Sequence, residues 1–461
     1  MRRLAFACSL LGGAAMLASG QGMAQAADTP PQTNLLGDAG GVRSALAAHG
    51  VTVLLTDAEE VFGNASGGMR RGATYDAAST LTVQVDSAKA FGWDGGQVNV
   101  SALQLRGRSL SQYYLGDLQT VSGISATPTT RLWEAWYQQQ IVAGQVDVRV
   151  GLQSLDQEFM VSQGAAVFLN TAMGWPMLPT ADLYAGGPAY PLASLGARVK
   201  AQLGGFTLLA GAYQDNPPGG PFAADGQVRG AARWGGNFNL RTGALLVLEA
   251  QYAVNQPEPT ATATASAPHG LPASYKLGMW FDSARYPDAR YDRAGLSLAN
   301  PLSSGQPRGD RGNFSLYAVA DQTIWQAAEG PMALAVFLRP MLAPSDRNQI
   351  DLSVNGGLTL KAPLPGRDDD TLGLGFGLAR VSNAVLGLAQ DMAGLGAGYV
   401  PRRGAESFAE LTYQVQATPW WQVQPDVQYR WLPGGGAANP GQPGKRLGNE
   451  LIMGLRSTMT F

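Results

Sequence analysis

Polar and apolar residues alternate between Gln145 and Gln153, and this period of two restricts the possible folds more than any other feature of the chain. Side chains of an extended strand point to opposite faces in turn, so the segment would form a strand with one polar and one apolar face. The polar row includes Asp147 and Arg149. The apolar row consists of Val146, Val148, Val150 and Leu152.

The same alternation recurs along the chain, and its recurrence separates two classes of β-protein. A soluble sandwich also alternates, with its apolar face turned inward, so a single strand does not decide. Here the polar rows carry Gln, Asp, Arg and Lys in nearly every strand, while Trp and Tyr gather at strand ends, as in the aromatic girdles of membrane barrels. We therefore expect an all-β fold, an antiparallel outer-membrane β-barrel. The recurring segments are residues 81–88, 97–102, 195–203, 275–282, 350–355, 421–431 and 450–461.

Loop lengths set the expected number of strands at sixteen. A first count of the segments gives an odd number of strands. An antiparallel barrel with both termini on the periplasmic side needs an even number. The alternation between Arg229 and Val254 breaks at 241–243, and one long or bulged strand there restores an even number. Residues 255–272 then become a long periplasmic turn, and 283–311 lie on the outer side of the membrane. Long outer loops are expected after strands that end near Phe62, Gly107, Gln153, Tyr213, Asp282, Ser382 and Trp431.

The first residues predict export. Arg2 and Arg3 precede an apolar run that is shorter than the roughly 20 residues of a spanning helix. Ala24-Gln25-Ala26 has the small-x-small pattern that a signal peptidase accepts, so residues 1–26 are expected to be a signal peptide. Because the one cysteine of the chain is Cys8, the mature protein would contain no thiol.

Residues 27–50 are expected to form a short periplasmic helical segment, followed by the barrel over 51–461. Asp38 is placed to cap the helix, Leu46 lies near one of its faces, and Gly50 is placed to end it. A loose appendage and a partial plug of the barrel both remain open for this segment.

Composition and motifs argue against catalysis. The net charge is −2, which offers no footprint for nucleic acid. The two histidines, His49 and His269, lie in the N-terminal helical segment and in the long insert. They therefore do not assemble a His-based catalytic triad or a zinc site. We expect no catalytic residue, no metal and no cofactor, and we interpret the acidic run 367–370 as a solvated turn rather than a Ca²⁺ site. Three glycines share one strand face and should leave space in the lumen: Gly373, Gly375 and Gly377.

Several motifs together resemble the OprB-type carbohydrate-selective porins. Residues 150–176 are similar to that family's strand and following inward loop, and 275–288 and 410–434 extend the similarity, as do the shorter stretches 190–199 and 320–322. The opening motif of the family is matched by Gly37-Asp38, Gly41, Arg43, Leu46 and Gly50-Val51. The anchor residues of the loop motif are Gly151, Asp156, Phe159, Ser162, Phe168 and Asn170.

The resemblance spans nearly all of the mature chain, with two departures. Ala39 stands where the family usually has an aromatic residue, and a long insert precedes Leu271. The resemblance implies a passive channel for mono- and oligosaccharides in the outer membrane, without energy coupling. A sugar presents hydroxyls at its rim and C–H faces between them, so amide, carboxylate and guanidinium groups beside aromatic surfaces suit its passage.

Alternation places the candidate pore-lining residues on the polar faces of the strands. Charges of both signs occur among them, which favours a neutral solute, since ion selectivity needs a lining of one dominant sign. Trp136 could instead belong to the lipid girdle, for which Trp133 and Tyr137 are better placed. The loop 154–195 has turn residues that would let it fold into the barrel mouth. The candidate substrate-binding residues are Glu134, Trp136, Gln138, Asp147, Arg149, Gln153, Arg198, Lys200, Glu249, Trp280 and Asp282.

Two other functions remain open from the sequence. One is a general or ion-selective porin of the same fold, and the other is a secreted β-protein that binds polysaccharide. The expected partners are carbohydrates as the transported solute, outer-membrane lipid, and the barrel-assembly machinery, which would recognise the terminal aromatic residue Phe461.

Overall fold

The alternating segments form sixteen antiparallel strands that close into one barrel, as the sequence predicts. The computed structural model describes residues 33–217, 234–236, 240–256, 270–396, 400–401, 403–442 and 444–461. The strands are β1 Val51–Gly68, β2 Gly72–Asp86, β3 Gly96–Gly107, β4 Thr129–Val142, β5 Val146–Gln153, β6 Ser194–Leu203, β7 Phe206–Gln214, β8 Ala244–Val254, β9 Ala273–Asp292, β10 Pro307–Gln326, β11 Ala333–Leu342, β12 Ile350–Lys361, β13 Thr371–Val381, β14 Ala405–Thr418, β15 Trp421–Trp431 and β16 Gly448–Thr460.

Helices in the described part of the chain are short and lie between the strands or before the first one. None of those described is long and apolar enough to cross a bilayer. The α-helices are α1 Val42–Ala48, α2 Ser87–Phe91, α3 Thr171–Gly174, α4 Met177–Asp182, α5 Asn383–Gly394 and α6 Pro433–Gly436. Shorter helical turns occur at Ser111–Leu115, Leu155–Gln157, Ala165–Val167 and Tyr184–Gly186.

The last strand closes the barrel by pairing with the first. The register of β1 and β16 runs from Thr56 opposite Thr460 to Gly68 opposite Gly448. The backbone N–H of Phe461 then donates to the carbonyl of Leu55 at 2.8 Å. Closure pairs the edges of β1 and β16 with each other, which is the condition for crossing a hydrocarbon layer with strands.

The two faces of the strands have opposite chemistry. On β5 the side chains of Arg149 and Gln153 are buried inside the barrel, whereas Val150 points outward and is 46% exposed. Large aromatic side chains are exposed at both ends of the strands, with apolar residues between them. An apolar band between two aromatic girdles is the outward pattern of transmembrane barrels. Examples at one end are Tyr252, Tyr275 and Trp325, and at the other Tyr75, Tyr429 and Trp431.

Two predicted strand boundaries are wrong. The strand predicted from Arg229 begins only at Ala244, so the break at 241–243 precedes β8 rather than bulging it; residues 229–233 lie outside the described residues. The segment 283–311, predicted as an outer connection after a strand that ends near Asp282, instead contains the outer ends of β9 and β10. Backbone pairing continues there beyond the apolar band of the outward face, where the outward row no longer has to be apolar, so the alternation carries no signal.

The helix before the barrel forms within the predicted segment, with one difference at its start. The N-cap of α1 is Gly41, not Asp38. The Asp38 carboxylate still accepts the N–H of Ser44 at 2.8 Å, so it binds the first turn from outside. Arg43 donates to the carbonyls of Val53 and Phe461, which holds α1 beside the closing strands. No residue of α1 is buried. The predicted cleavage site lies outside the described residues.

The outward faces of β1 to β3 depart from the apolar pattern. Asp57 and Glu59 follow Leu55 in the outward row of β1. The Asp57 carboxylate accepts from Ser79 Oγ at 2.6 Å and from Arg106 at 2.8 Å, and Glu59 lies 3.6 Å from the same guanidinium. Arg106 thus compensates one of the two carboxylates on this outward wall.

Removing Arg106 alone should cost more than removing it together with Asp57. Arg106→Leu should destabilise the barrel by about 1–3 kcal/mol, because it leaves the two outward carboxylates Asp57 and Glu59 without a cation. The double variant Asp57→Leu/Arg106→Leu leaves one such carboxylate and should recover about half of that loss. Urea unfolding in lipid vesicles, followed by tryptophan fluorescence, measures both. Strictly additive losses would show that the two charges do not compensate each other.

Candidate functional site

The loop between β5 and β6, residues 154–193, lies inside the barrel. Gln153 pairs with Ser194, so the chain leaves and re-enters the wall at the same point. Leu155, Phe159 and Leu178 of the loop are almost completely buried. The loop, which was predicted to fold into the barrel mouth, therefore does so.

Carboxylates on the wall accept hydrogen bonds from the loop backbone. Glu249 accepts the N–H of Met160 at 2.8 Å, and Asp321 accepts that of Gly164 at 3.0 Å. Glu410 accepts the N–H groups of Leu169 and Asn170 at 2.5 and 3.2 Å. A loop inside a barrel has no neighbouring strand to satisfy its N–H groups, so these inward carboxylates take that role.

Cations on the wall bind the loop carbonyls in the same way. The guanidinium of Arg339 on β11 donates to the carbonyls of Met160, Ala172 and Met173 at 2.7 to 2.8 Å, and to Gly174 at 3.2 Å. Lys276 on β9 donates to the carbonyl of Val161 at 2.7 Å. Together with the carboxylates, these groups fasten the loop along its length.

A second loop, residues 108–128 between β3 and β4, also enters the barrel. Glu406 on β14 accepts the N–H groups of Leu118 and Gln119 at 2.8 and 2.7 Å. Arg430 on β15 donates to the carbonyl of Gln119 at 2.6 Å. The two loops bond each other, since Thr171 donates its N–H to the carbonyl of Thr120 at 3.0 Å. The sequence analysis did not predict that this loop turns inward.

Apolar contacts complete the attachment of the β5–β6 loop. Phe159 and Trp175 pack in one buried cluster with Trp280 of the wall. Phe168 packs over the glycine row of β13, where a Cβ at Gly375 would come within 2.7 Å of its ring. The expectation that the three glycines leave open space in the lumen is therefore wrong, because Phe168 of the loop fills the space at Gly373 and Gly375, and Phe408 of β14 fills it at Gly377.

Several of the predicted pore-lining residues thus belong to the loop attachment. Glu134 accepts the N–H of Ser154 at 2.9 Å, and Glu249 also accepts from the hydroxyl of Tyr317 at 2.8 Å. Trp280 is fully buried, and the Asp282 carboxylate is engaged by its own strand, accepting the N–H of Ala284. These residues face the lumen, as predicted, but the loop or the strand itself covers them.

Four other predicted residues lie together with a loop carboxylate. We call Gln138, Asp147, Arg149, Glu158 and Arg198 the arginine cluster. Arg198 donates to both oxygens of Glu158 at 2.7 Å, and it pairs with Asp147. Arg149 donates to Gln138 at 2.9 and 3.0 Å and lies 3.4 Å from Glu158. Glu158 was missed, because a loop residue has no alternation to reveal which way it points.

Trp136 adjoins the arginine cluster, which settles its orientation. The guanidinium of Arg149 lies over the Trp136 ring, 4.0 Å from its centre, so this side chain faces the lumen and not the lipid. Trp133, predicted for the girdle, also turns inward and packs edge-on against Tyr190 at 5.8 Å. The cause is a register shift between Ser101 and Ala102, which leaves Trp133 without a partner on β3.

The arginine cluster exposes its carboxylates more than its cations. The side chains of Asp147 and Glu158 are 17% and 20% exposed, whereas Arg198 is 1% exposed. Lys200, opposite Asp147 on β6, is half-buried. Gln153 is buried and donates to the carbonyl of Gly196 at 3.1 Å. The part-exposed surface of the arginine cluster therefore consists of carboxylate acceptors, and the more deeply buried arginines hold these carboxylates in place.

Two further features concern electrostatics away from the wall. Burial raises the pKa of the Asp182 carboxyl in the loop well above its usual value, although two backbone N–H groups of residues 349–350 bind it. Asp370 in the acidic turn binds Arg367 and the Tyr413 hydroxyl. Across the described ranges we find no group of three or more His, Cys, Asp or Glu placed to hold a metal ion.

Comparison with known proteins gives consistent results. Residues 70–461 match a family model described as carbohydrate-selective porin, OprB family. A relative named Porin B, from Pseudomonas aeruginosa, is 27% identical over 460 residues, covering 94% of this chain and 92% of that protein. The high-pH structure of Pseudomonas putida OprB has a TM-score of 0.79 at 23% identity, covering 94% of this chain and 99% of that one. Its low-pH structure has a TM-score of 0.55 at 18% identity, covering 94% and 100%.

Loosening one loop attachment should widen the channel. Asp321→Ala removes the acceptor of the Ser162 hydroxyl and of the Gly164 N–H, and each unpaired group costs about 1–3 kcal/mol. We expect a larger and noisier single-channel current and faster proteolysis of the loop. Asp321→Asn keeps an accepting oxygen and is the matched control. Identical currents for Asp321→Ala and the parent would show that this contact does not hold the loop.

Proposed function

The chain belongs to the OprB family of carbohydrate-selective porins, and we propose that sugars cross its barrel beside the arginine cluster. The protein is an outer-membrane channel for the passive diffusion of carbohydrates. The observation that supports the proposed path is the pair of part-exposed carboxylates, Asp147 and Glu158, which buried arginines hold in place.

The charge balance of the arginine cluster suits a neutral, hydroxylated solute. Arg149 and Arg198 are matched by Asp147 and Glu158, so neither sign dominates. A pore selective for one class of ion needs a lining of mostly one sign. A sugar hydroxyl, in contrast, can donate to a carboxylate and accept from a neighbouring cation such as Lys200. The general or ion-selective alternative therefore has less support.

The members of the arginine cluster would have different roles. Asp147 and Glu158 would accept hydrogen bonds from sugar hydroxyls. Arg149 and Arg198 are positioning residues, because they are buried and fix the two carboxylates. Trp136 acts through Arg149, whose guanidinium covers one face of its ring at 4.0 Å. Because the buried arginines fix the two carboxylates, the lumen wall offers charged acceptors in defined positions. Such acceptors can discriminate between hydroxylated solutes by the geometry of their hydrogen bonds.

The remaining predicted features stay proposals. We propose that residues 1–26 are removed after export and that 27–50 form the periplasmic segment, which the position of α1 before β1 supports. We also propose that Phe461 is read by the assembly machinery and that lipid surrounds the barrel. The recognition of Phe461 is supported by the end of β16 at Thr460, since Phe461 directly follows the closing strand.

Added glucose should reduce the ion current through a single channel. The sugar would occupy the constriction and exclude ions while it is bound. Planar-bilayer recordings with increasing glucose measure this effect, and a neutral polymer too large to enter controls for viscosity. An ion current that does not respond to glucose or to other small sugars would favour the general porin and contradict carbohydrate passage beside the cluster.

Neutralising the two carboxylates should weaken sugar binding more than it weakens the barrel. Glu158→Gln and Asp147→Asn should each raise the glucose concentration for half-maximal block by about tenfold, since hydrogen bonds to charged groups are worth about 1.5–3 kcal/mol. Glu59→Gln, an outward carboxylate on β1, is the matched control. Equal block in the variants and the control would mean that the cluster only holds the loop.

A further inference from the structure

Two arginines stand directly opposite each other at the extracellular ends of β9 and β10. Arg285 and Arg311 are register partners, and both are exposed. Directly opposed residues of an antiparallel pair have Cβ atoms about 5 Å apart, and like charges in this position destabilise the sheet. An anion that bound both guanidinium groups would reverse that cost.

Four arginines at this end of the barrel form ion pairs with carboxylates at 2.6 to 2.9 Å, and their positive charge is thereby compensated. Among the described residues, no carboxylate forms an ion pair with Arg285 or Arg311, although the two guanidinium groups stand opposite each other. The opposed pair therefore keeps two positive charges close together. The compensated pairs are Arg290–Asp391, Arg308–Asp288, Arg347–Asp346 and Arg380–Asp351.

The two arginines line an open cleft of about 530 Å³. Phe281 lies in the same cleft and provides an apolar surface, while Thr242 and Ser283 bring hydroxyls to it. The cleft thus combines two uncompensated cations, hydrogen-bonding groups and an aromatic surface. That combination suits a group with an anionic head and an apolar body.

The depth of the cleft relative to the membrane identifies the kind of ligand. Phe281 and Phe314 are exposed on the outward face, and Leu277 below them is the most exposed apolar residue of β9 at 68%. Arg285 lies four positions beyond Phe281, about 13 Å along an extended strand. The arginine pair therefore faces the headgroup layer of the outer leaflet rather than its hydrocarbon.

We propose that Arg285 and Arg311 bind the phosphate of a phosphorylated lipid headgroup in the outer leaflet. Guanidinium groups bind phosphate oxygens through two parallel N–H donors, and two opposed arginines offer this geometry from both sides. The acyl chains of the lipid would lie against the apolar row that begins at Phe281. Free phosphate shares the head chemistry but lacks the apolar part.

Native mass spectrometry of the purified protein in detergent tests the proposal. The probes are dioleoyl phosphatidic acid, dioleoyl phosphatidylcholine and inorganic phosphate. The wild-type chain should bind phosphatidic acid in preference to phosphatidylcholine, and Arg285→Gln/Arg311→Gln should weaken that binding about tenfold or more. The matched control is Arg293→Gln, an exposed arginine of the β9–β10 connection outside the cleft.

Each result either supports or overturns the assignment. If millimolar inorganic phosphate abolishes lipid binding, the arginine pair is a site for free phosphate, and the assignment to a lipid headgroup is overturned. Equal lipid binding by the double variant and the control would overturn the site itself. Should the double variant not fold, Arg285→Lys/Arg311→Lys keeps the charge but loses the paired donors, and weaker lipid binding is then expected.

Discussion

The structure depends on charged side chains of the barrel wall that bind the backbone of two loops inside the lumen. A chain segment within a barrel has polar backbone groups and no strand beside it, so each buried N–H and C=O needs a partner. Asp321, Glu406 and Glu410 accept the N–H groups, while Arg339 and Arg430 donate to the carbonyls. Without these groups a barrel of sixteen strands would hold a wide aqueous lumen.

The same attachments explain how a wide barrel becomes a selective channel. The inserted loop brings Glu158 to the wall residues Arg149 and Arg198, and no strand alone could assemble that group. The buried cations hold the carboxylates in place and balance their charge. If sugars pass beside the cluster as proposed, they meet fixed acceptors whose charge the arginines balance, which favours hydroxylated neutral solutes over ions. Selectivity and loop anchoring are consequences of one charge arrangement.

The sequence predicted the elements that repeat and missed those that depend on one contact. Alternation gave the recurring strands, and loop lengths set their number at sixteen. Alternation also gave the inward direction of Arg149 and Trp136, because every second residue of a strand faces the same side. It failed at Trp133, where a register shift reverses the side chain, and at Glu158, which belongs to a loop without a period. The glycines of β13 were visible, but the Phe168 ring that fills the space at Gly373 and Gly375 comes from a distant segment.

Cysteine labelling at the narrow part of the passage tests the central claim most directly. Cys8 is the only native cysteine and lies in the segment expected to be removed, so Glu158→Cys introduces one reactive thiol. A charged thiosulfonate added from outside should lower the single-channel current, and glucose should slow the reaction. The matched control, Glu329→Cys in an exposed turn, should give no change in current. If the current at Glu158→Cys is unchanged, or glucose gives no protection, sugars do not pass this cluster.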